Sequence, residues 1–158
     1  MRSIKRCSMQ LPRKYQAIFY SIICLASMNK AHAVACTVGT TTVGFGVYDV
    51  FSNQDTDATG TVTVTCDPDT TPYTIALERG ITGSINNRVM LSASGHDRLN
   101  YNLYIDAARS TIWGNGSGNS LVVSQSAPAT VTVYGRIPPG QNVSVGTYSD
   151  TVSVTISF

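Results

Sequence analysis

The sequence predicts an all-β domain of short antiparallel strands. Three observations point there. From Val34 onward the 125 residues hold 16 valines, 19 threonines and 7 isoleucines, so a third of them are β-branched. Such side chains pack well on a pleated surface and lose rotamer freedom in a helix. All 13 glycines fall in this part and punctuate short runs, and within those runs apolar residues recur every second position.

The first 33 residues read as an address rather than as structure. Six of the eleven Lys and Arg residues lie here with no acid among them. Between Lys14 and Lys30 run fifteen uncharged residues, densest in apolar side chains from Ala17 to Ala26, and Ala31-His32-Ala33 follows. A basic start, a short apolar stretch and an A-x-A site mark a secretory signal peptide over 1–33, cut after Ala33 or, as a second choice, after Ala35. As helix, fifteen residues reach about 22 Å, short of the roughly 30 Å of a hydrocarbon core. No transmembrane segment is therefore expected once the signal is removed. Ala33-Val34-Ala35-Cys36 also has a faint likeness to a lipoprotein cleavage box, but lacks a large aliphatic residue at its start.

Residues 34–158 are expected to form one domain. Export removes Cys7 and Cys24 and leaves Cys36 and Cys66, two cysteines in an oxidising compartment, which suggests one disulfide. The mature part carries five arginines, no lysine and nine acids. Neutralising phosphates takes clustered cations, so nucleic acid is excluded as a partner.

The strands follow in order. In Thr61–Cys66, Val62, Val64 and Cys66 share one face. Tyr73, Ile75 and Leu77 alternate with Thr74 and Ala76. Leu99, Tyr101, Leu103 and Ile105 alternate with Asn100, Asn102 and Tyr104, and Val131 and Val133 with their threonine neighbours. Asp67-Pro68-Asp69, Arg79-Gly80, Ser94-Gly95, Gly114–Gly118 and Pro138-Pro139-Gly140 supply turns. Asp106–Thr111 alone reads as a possible helical turn. Short antiparallel strands at this spacing mean a two-sheet sandwich more often than a barrel.

The last twelve residues alternate most cleanly: Tyr148, Val152, Val154, Ile156 and Phe158 point one way, and no charge follows Asp150. A long apolar edge is a pairing hazard. Either this strand pairs internally on both sides, or its missing neighbour comes from another chain, as in chaperone–pilin strand addition. Periodicity does not separate the two.

Cys36-Thr37-Val38, Phe45-Gly46, Val62–Cys66, Tyr101–Tyr104 with Asp106–Arg109, Trp113-Gly114, Tyr134–Pro138 and Gly146–Phe158 occur in order. Together they closely resemble the spore coat protein U domain family, which includes subunits of archaic chaperone–usher pili. The resemblance implies an immunoglobulin-like sandwich lacking its seventh (G) strand, with Cys36 and Cys66 at the disulfide positions. It implies a donor-strand groove at Val152, Val154, Ile156, Phe158, Val62 and Val64. Its partners would be a periplasmic chaperone, an outer-membrane usher and a neighbouring pilus subunit. Burying about four large donor side chains would yield roughly 6–12 kcal/mol before ordering costs. Rod subunits of this kind carry an amino-terminal extension that completes the next subunit. Met28–Ala35 has a lysine, a histidine and no alternation, so an acceptor-only tip or cap role in adhesion is expected. A secreted coat or matrix protein of the same family is the alternative.

No catalytic or cofactor site is expected. His96 stands between Gly95 and Asp97 as a surface residue, without the neighbours of a hydrolase triad. Asn53, Asp55 and Asp57 have calcium-loop spacing, but Ala58 and Val64 occupy the glycine and bidentate-acid positions, so a solvated loop is preferred to a metal site. Gly114–Gly118 lacks the lysine and helix of a phosphate loop. Tyr48, Tyr101, Tyr104 and Trp113 read as core packing before a sugar- or surface-binding patch, and Arg136 beside Tyr134 as structural.

Overall fold

Ten strands and no helix make up the described part of the chain, residues 34–67, 72–126 and 128–158 of a computed structural model. The signal segment of the sequence analysis, residues 1–33, lies outside the described residues. In chain order the strands are β1 (Ala35–Thr40), β2 (Thr56–Asp67), β3 (Pro72–Leu77), β4 (Thr82–Ser84), β5 (Asn87–Ser92), β6 (Arg98–Tyr104), β7 (Val123–Ser126), β8 (Ala129–Ile137), β9 (Tyr148–Ser149) and β10 (Val154–Ser157). Every ladder between them is antiparallel.

Seven strands form one sheet in the order β1-β2-β8-β6-β5-β4, with β9 also pairing β5. The other sheet is β10-β3-β7. Alternation places the core as expected: Val62, Val64 and Cys66 from β2, Tyr73, Ile75 and Leu77 from β3, and Leu99, Tyr101 and Leu103 from β6 are all buried. Ile105 packs against them only in part. Such two-layer burial is what makes the elements hold; none of these strands has an apolar face large enough to be stable alone.

Three details differ from the sequence reading. Asp106–Thr111 is no helical turn: the Asp106 carboxylate accepts from the N–H groups of Ser110 and Thr111 (2.9 and 2.8 Å), and Arg109 has φ 56°. The Asp106 side chain thus offers the loop partners that a helix would take from its own carbonyls. The carboxyl-terminal run is not one strand either. Its first part, β9, pairs β5 in the large sheet; its last part, β10, pairs β3 in the small one. Asp150 marks the crossing, accepting from the Ile81 and Thr151 N–H groups and from the Tyr101 hydroxyl, each at 2.8 Å. In β6, Asn102 is buried among apolar residues, which breaks the expected alternation.

Asn102 is there for Arg88. This arginine is 0% exposed and, among the described residues, forms no ion pair with a carboxylate. Its guanidinium donates to Asn102 Oδ1 (2.7 Å) and to the carbonyls of Glu78, Leu77 and Trp113 (3.0, 3.1 and 2.9 Å). A planar fork of five donors suits several acceptors at once. Trp113, also 0% exposed, donates its indole N–H to the Ile75 carbonyl at 3.0 Å.

Candidate functional site: a groove at an open sheet edge

β10 is paired on one side only among the described residues, by β3. The Glu78 N–H donates to the Ser153 carbonyl (3.0 Å). In an antiparallel ladder bonded pairs alternate, so the backbone groups of Val154 and Ile156 point away from β3. The Leu77 N–H, opposite Val154, correspondingly turns outward to the Gly114 carbonyl (3.2 Å). The side chains of Val152, Val154 and Ile156 face the sandwich, yet all three are only half-buried. Leu77 and Ile75, opposite Val154 and Ile156 on β3, are fully buried. The edge therefore has free main-chain donors and acceptors beside an incompletely covered apolar face.

The opposite wall begins where β1 ends. The Cys36–Cys66 disulfide joins directly opposed residues of β1 and β2, and the Thr41 N–H still bonds to the Thr61 carbonyl (3.0 Å). Beyond that the chain leaves the sheet edge and crosses its inner face as a strap, residues 41–51, with no strand structure. Two glycines make the crossing possible. A Cβ on Gly60 would lie 2.8 Å from Val43 Cγ2, and one on Gly135 would lie 2.6 Å from Val43 Cγ1 and 2.7 Å from Phe45 Cζ. Phe45 then meets Tyr101 edge-to-face, with centroids 5.9 Å apart and an interplanar angle of 72°. The Tyr48 hydroxyl ends the crossing by donating to the Pro138 carbonyl (3.2 Å) and accepting from the Gln141 N–H (2.8 Å).

Between strap and edge lies a cavity of about 970 Å³. Close-packed interiors hold few voids larger than a water molecule, and this volume is at the upper end of ligand-sized clefts, roughly 300–1,000 Å³. Its lining is predominantly apolar and includes Val43, Phe45, Leu77, Leu103, Ile137 and Val143.

Of the residues singled out from the sequence, Val62, Val152 and Val154 line this cavity. Val64 is 0% exposed in the core below it; Ile156 is half-buried and Phe158 is 65% exposed, both outside the lining. Sequence reasoning missed the strap, Met90 and Leu99. No local signal marked the strap, because the close approach falls on Gly60 and Gly135 while Gly44 and Gly46 have nothing within 4 Å of an added Cβ.

The remaining candidates have structural places. Trp113 and Tyr101 are buried, whereas Tyr48 and Tyr104 are half-buried. Burial, with the Asp150 carboxylate beside it, pushes the Tyr101 phenol up. Asp57 receives a two-pronged bond from Arg136 (2.8 and 2.9 Å) and an ion pair from Arg109 (3.2 Å), while Asp55 pairs Arg136 at 3.1 Å. The Arg136 hydrogen bond holds the Asp57 carboxyl below its usual range, against a smaller opposing effect of desolvation. His96 is exposed. Among the described residues no three metal-ligating side chains cluster, and no helix is long and apolar enough to cross a membrane.

The Spore Coat Protein U domain model matches residues 24–155, and the chain belongs to that family. Among its relatives is Protein U of Myxococcus xanthus, 38% identical over 145 residues, covering 84% of this chain and 80% of that protein. The fold is shared with a crystal structure of the CsuC–CsuE chaperone-tip adhesion subunit pre-assembly complex from archaic chaperone-usher Csu pili of Acinetobacter baumannii. There the TM-score is 0.57 at 21% identity, over 80% of this chain and 40% of that one. Neither the family nor the neighbouring fold is that of an enzyme.

Proposed function

We propose that this protein is a structural subunit of a chaperone–usher pilus, a sandwich lacking its seventh strand and completed by a strand from another chain. The observation that carries the reading is the pairing of an open β10 edge with an unfilled apolar cavity. An inserted strand would bond to the free groups of Val154 and Ile156 and place alternate side chains in the cavity, the geometry of strand addition at a sheet edge. A periplasmic chaperone would lend that strand first; at the outer-membrane usher a neighbouring subunit would replace it. Each main-chain bond adds about 0.5–1.5 kcal/mol net, so burial of the donor's side chains dominates.

The finer parts of the proposal are export through the periplasm to a surface fimbria, a role in adhesion or biofilm formation, and an acceptor-only position at the tip or cap. The last is supported by residues 28–35, which lack the apolar alternation a donor needs. The likeness to Protein U favours one other reading, a secreted coat or matrix protein working without a pilus. Co-expression with a periplasmic chaperone of the chaperone–usher type separates them. A pilus subunit co-purifies with the chaperone from the periplasm and is degraded without it. A stable monomer that accumulates alone and ignores the chaperone would establish the coat reading. Polymerisation of the purified protein through its own amino terminus would overturn the acceptor-only role.

A further inference from the structure

The two ends of the groove differ in chemistry. By register, Met90 faces Leu99 across β5 and β6, and Tyr148 pairs Ser92 at the same end of the sheet. Phe45, Tyr48 and Tyr101 join them, so this end of the cavity is a chamber of aromatic rings and one thioether. Toward Val154 the lining is aliphatic, with Val62, Leu77 and Leu103. The described lining includes no Lys, Arg or His; its charged residues are Asp49 and Asp150. Asp150 is engaged by Tyr101 and two backbone N–H groups. Asp49 is exposed on the strap, one of its oxygens taken by the Phe51 N–H at 2.9 Å.

We infer that the groove selects among donors: it takes an extended segment of another chain with an aromatic side chain at the chamber end and a basic residue beside Asp49. The inference rests on the strand-acceptor reading and adds to it which strand is accepted. Aromatic pairs in edge-to-face or offset contact gain beyond their area, and methionine sulfur favours ring edges. A β-branched anchor would leave much of the chamber unfilled, at the cost that voids carry. An alkyl chain would fill the space but leave the N–H and C=O groups of Val154 and Ile156 without partners, which an extended backbone supplies. With two carboxylates and no cation along the lining, an acidic donor is repelled and a basic one steered in.

The test uses the oxidised full chain and short fluorescein-labelled peptides in which valine alternates with threonine. One apolar position at a time is replaced by Phe, Leu or Ala, and binding is read by anisotropy. At one position, and not at the others, Phe is expected to bind about 10–100-fold more tightly than Ala, with Leu between. Met90→Trp, which fills the chamber, is expected to remove that preference. A lysine next to the aromatic guest is expected to improve affinity several-fold over glutamate at low salt, and Asp49→Asn to remove the difference. The guest series needs no variant, so a misfolded Met90→Trp does not blunt it. Equal affinities across the series overturn the selection but leave strand addition standing. Binding by none of the peptides overturns both. Competitive displacement of every peptide by oleate at one site would assign the chamber to an acyl chain instead.

Discussion

Replacing Gly135 by alanine tests the wall that makes the groove. The position does not have a left-handed φ, so alanine fits the backbone. The difficulty is space: the new Cβ would sit 2.6 Å from Val43 Cγ1 and 2.7 Å from Phe45 Cζ, where carbon atoms settle near 3.5–4.0 Å. The strap must therefore retreat by roughly 1 Å. Overpacking of this kind costs about 1–3 kcal/mol, and loosening the Phe45–Tyr101 contact about 0.5–1.5 kcal/mol more. Removing a strand glycine returns about 0.5–1 kcal/mol of backbone entropy. The net expectation is a loss of about 0.5–4 kcal/mol, centred near 2. Gly39 is the matched control, since it lies in β1 with nothing within 4 Å of an added Cβ; there alanine is expected to stabilise by about 0.5 kcal/mol. Urea unfolding followed by the fluorescence of Trp113, the chain's single tryptophan, reads both. If Gly135→Ala were as neutral or stabilising as Gly39→Ala, the strap would not lie on the sheet and the cavity would lack this wall.

Four further outcomes are expected. Val154→Asp puts a charge on the groove face and is expected to abolish chaperone co-purification, whereas Thr155→Asp, on the opposite face of β10, leaves it intact; equal effects would show that the face is irrelevant. Cys36→Ser opens a bridge of sequence separation 30 and is expected to cost about 3–4 kcal/mol, measured by denaturant titration of oxidised and variant protein. Arg88→Met leaves three carbonyls and Asn102 without their donor and is expected to cost about 3–5 kcal/mol, with Arg88→Lys no better because a point charge cannot span all four acceptors. Because the Asp57 pKa is depressed on folding, its stabilisation is present above the unfolded carboxylate value near 4 and fades as pH falls through the lower folded one. The gap in urea midpoint between the protein and Asp57→Asn is therefore expected to narrow as pH falls below about 4, and a gap that does not narrow there would sink the assignment.

The half-buried strands were legible in the sequence because one face of each meets the core and the other meets water. β2, β3 and β8 show period two for that reason, and β6 does so except at Asn102, which is buried against Arg88. β5 did not: Arg88, Val89 and Met90 are buried in succession, so no alternation exists to be seen. Arg88 itself was invisible because its partners are carbonyls and one amide, groups that every sequence contains. The break at Asp150 was hidden for a subtler reason. Tyr148 and Val152 keep the same parity across the crossing, so a strand that changes sheets reads like one that does not. Of the groove, the carboxyl-terminal alternation pointed to Val152 and Val154, which line the cavity. It did not reveal the strap, since whether Val43 and Phe45 lie in or out depends on glycines more than a dozen residues away.

Those distant features share a purpose. A sandwich with an open slot must keep both rims in place while nothing fills the space between them, and its tethers run around the slot. The disulfide fixes β1 to β2 just before the strap departs, and Gly60 and Gly135 give the strap a seat. On the other side, Arg88 holds the carbonyls of Leu77 and Glu78, and Trp113 holds that of Ile75. That fixes β3 at the residues to which β10 is paired. Neither set of contacts requires an occupant. An acceptor shaped in advance spends less of the donor's binding energy on ordering itself. Strand exchange between two donors is then governed by the difference in what each places in the cavity, because the rims cost the same for both. A chaperone strand that fills the groove poorly and a subunit strand that fills it well would be enough to drive assembly without a nucleotide.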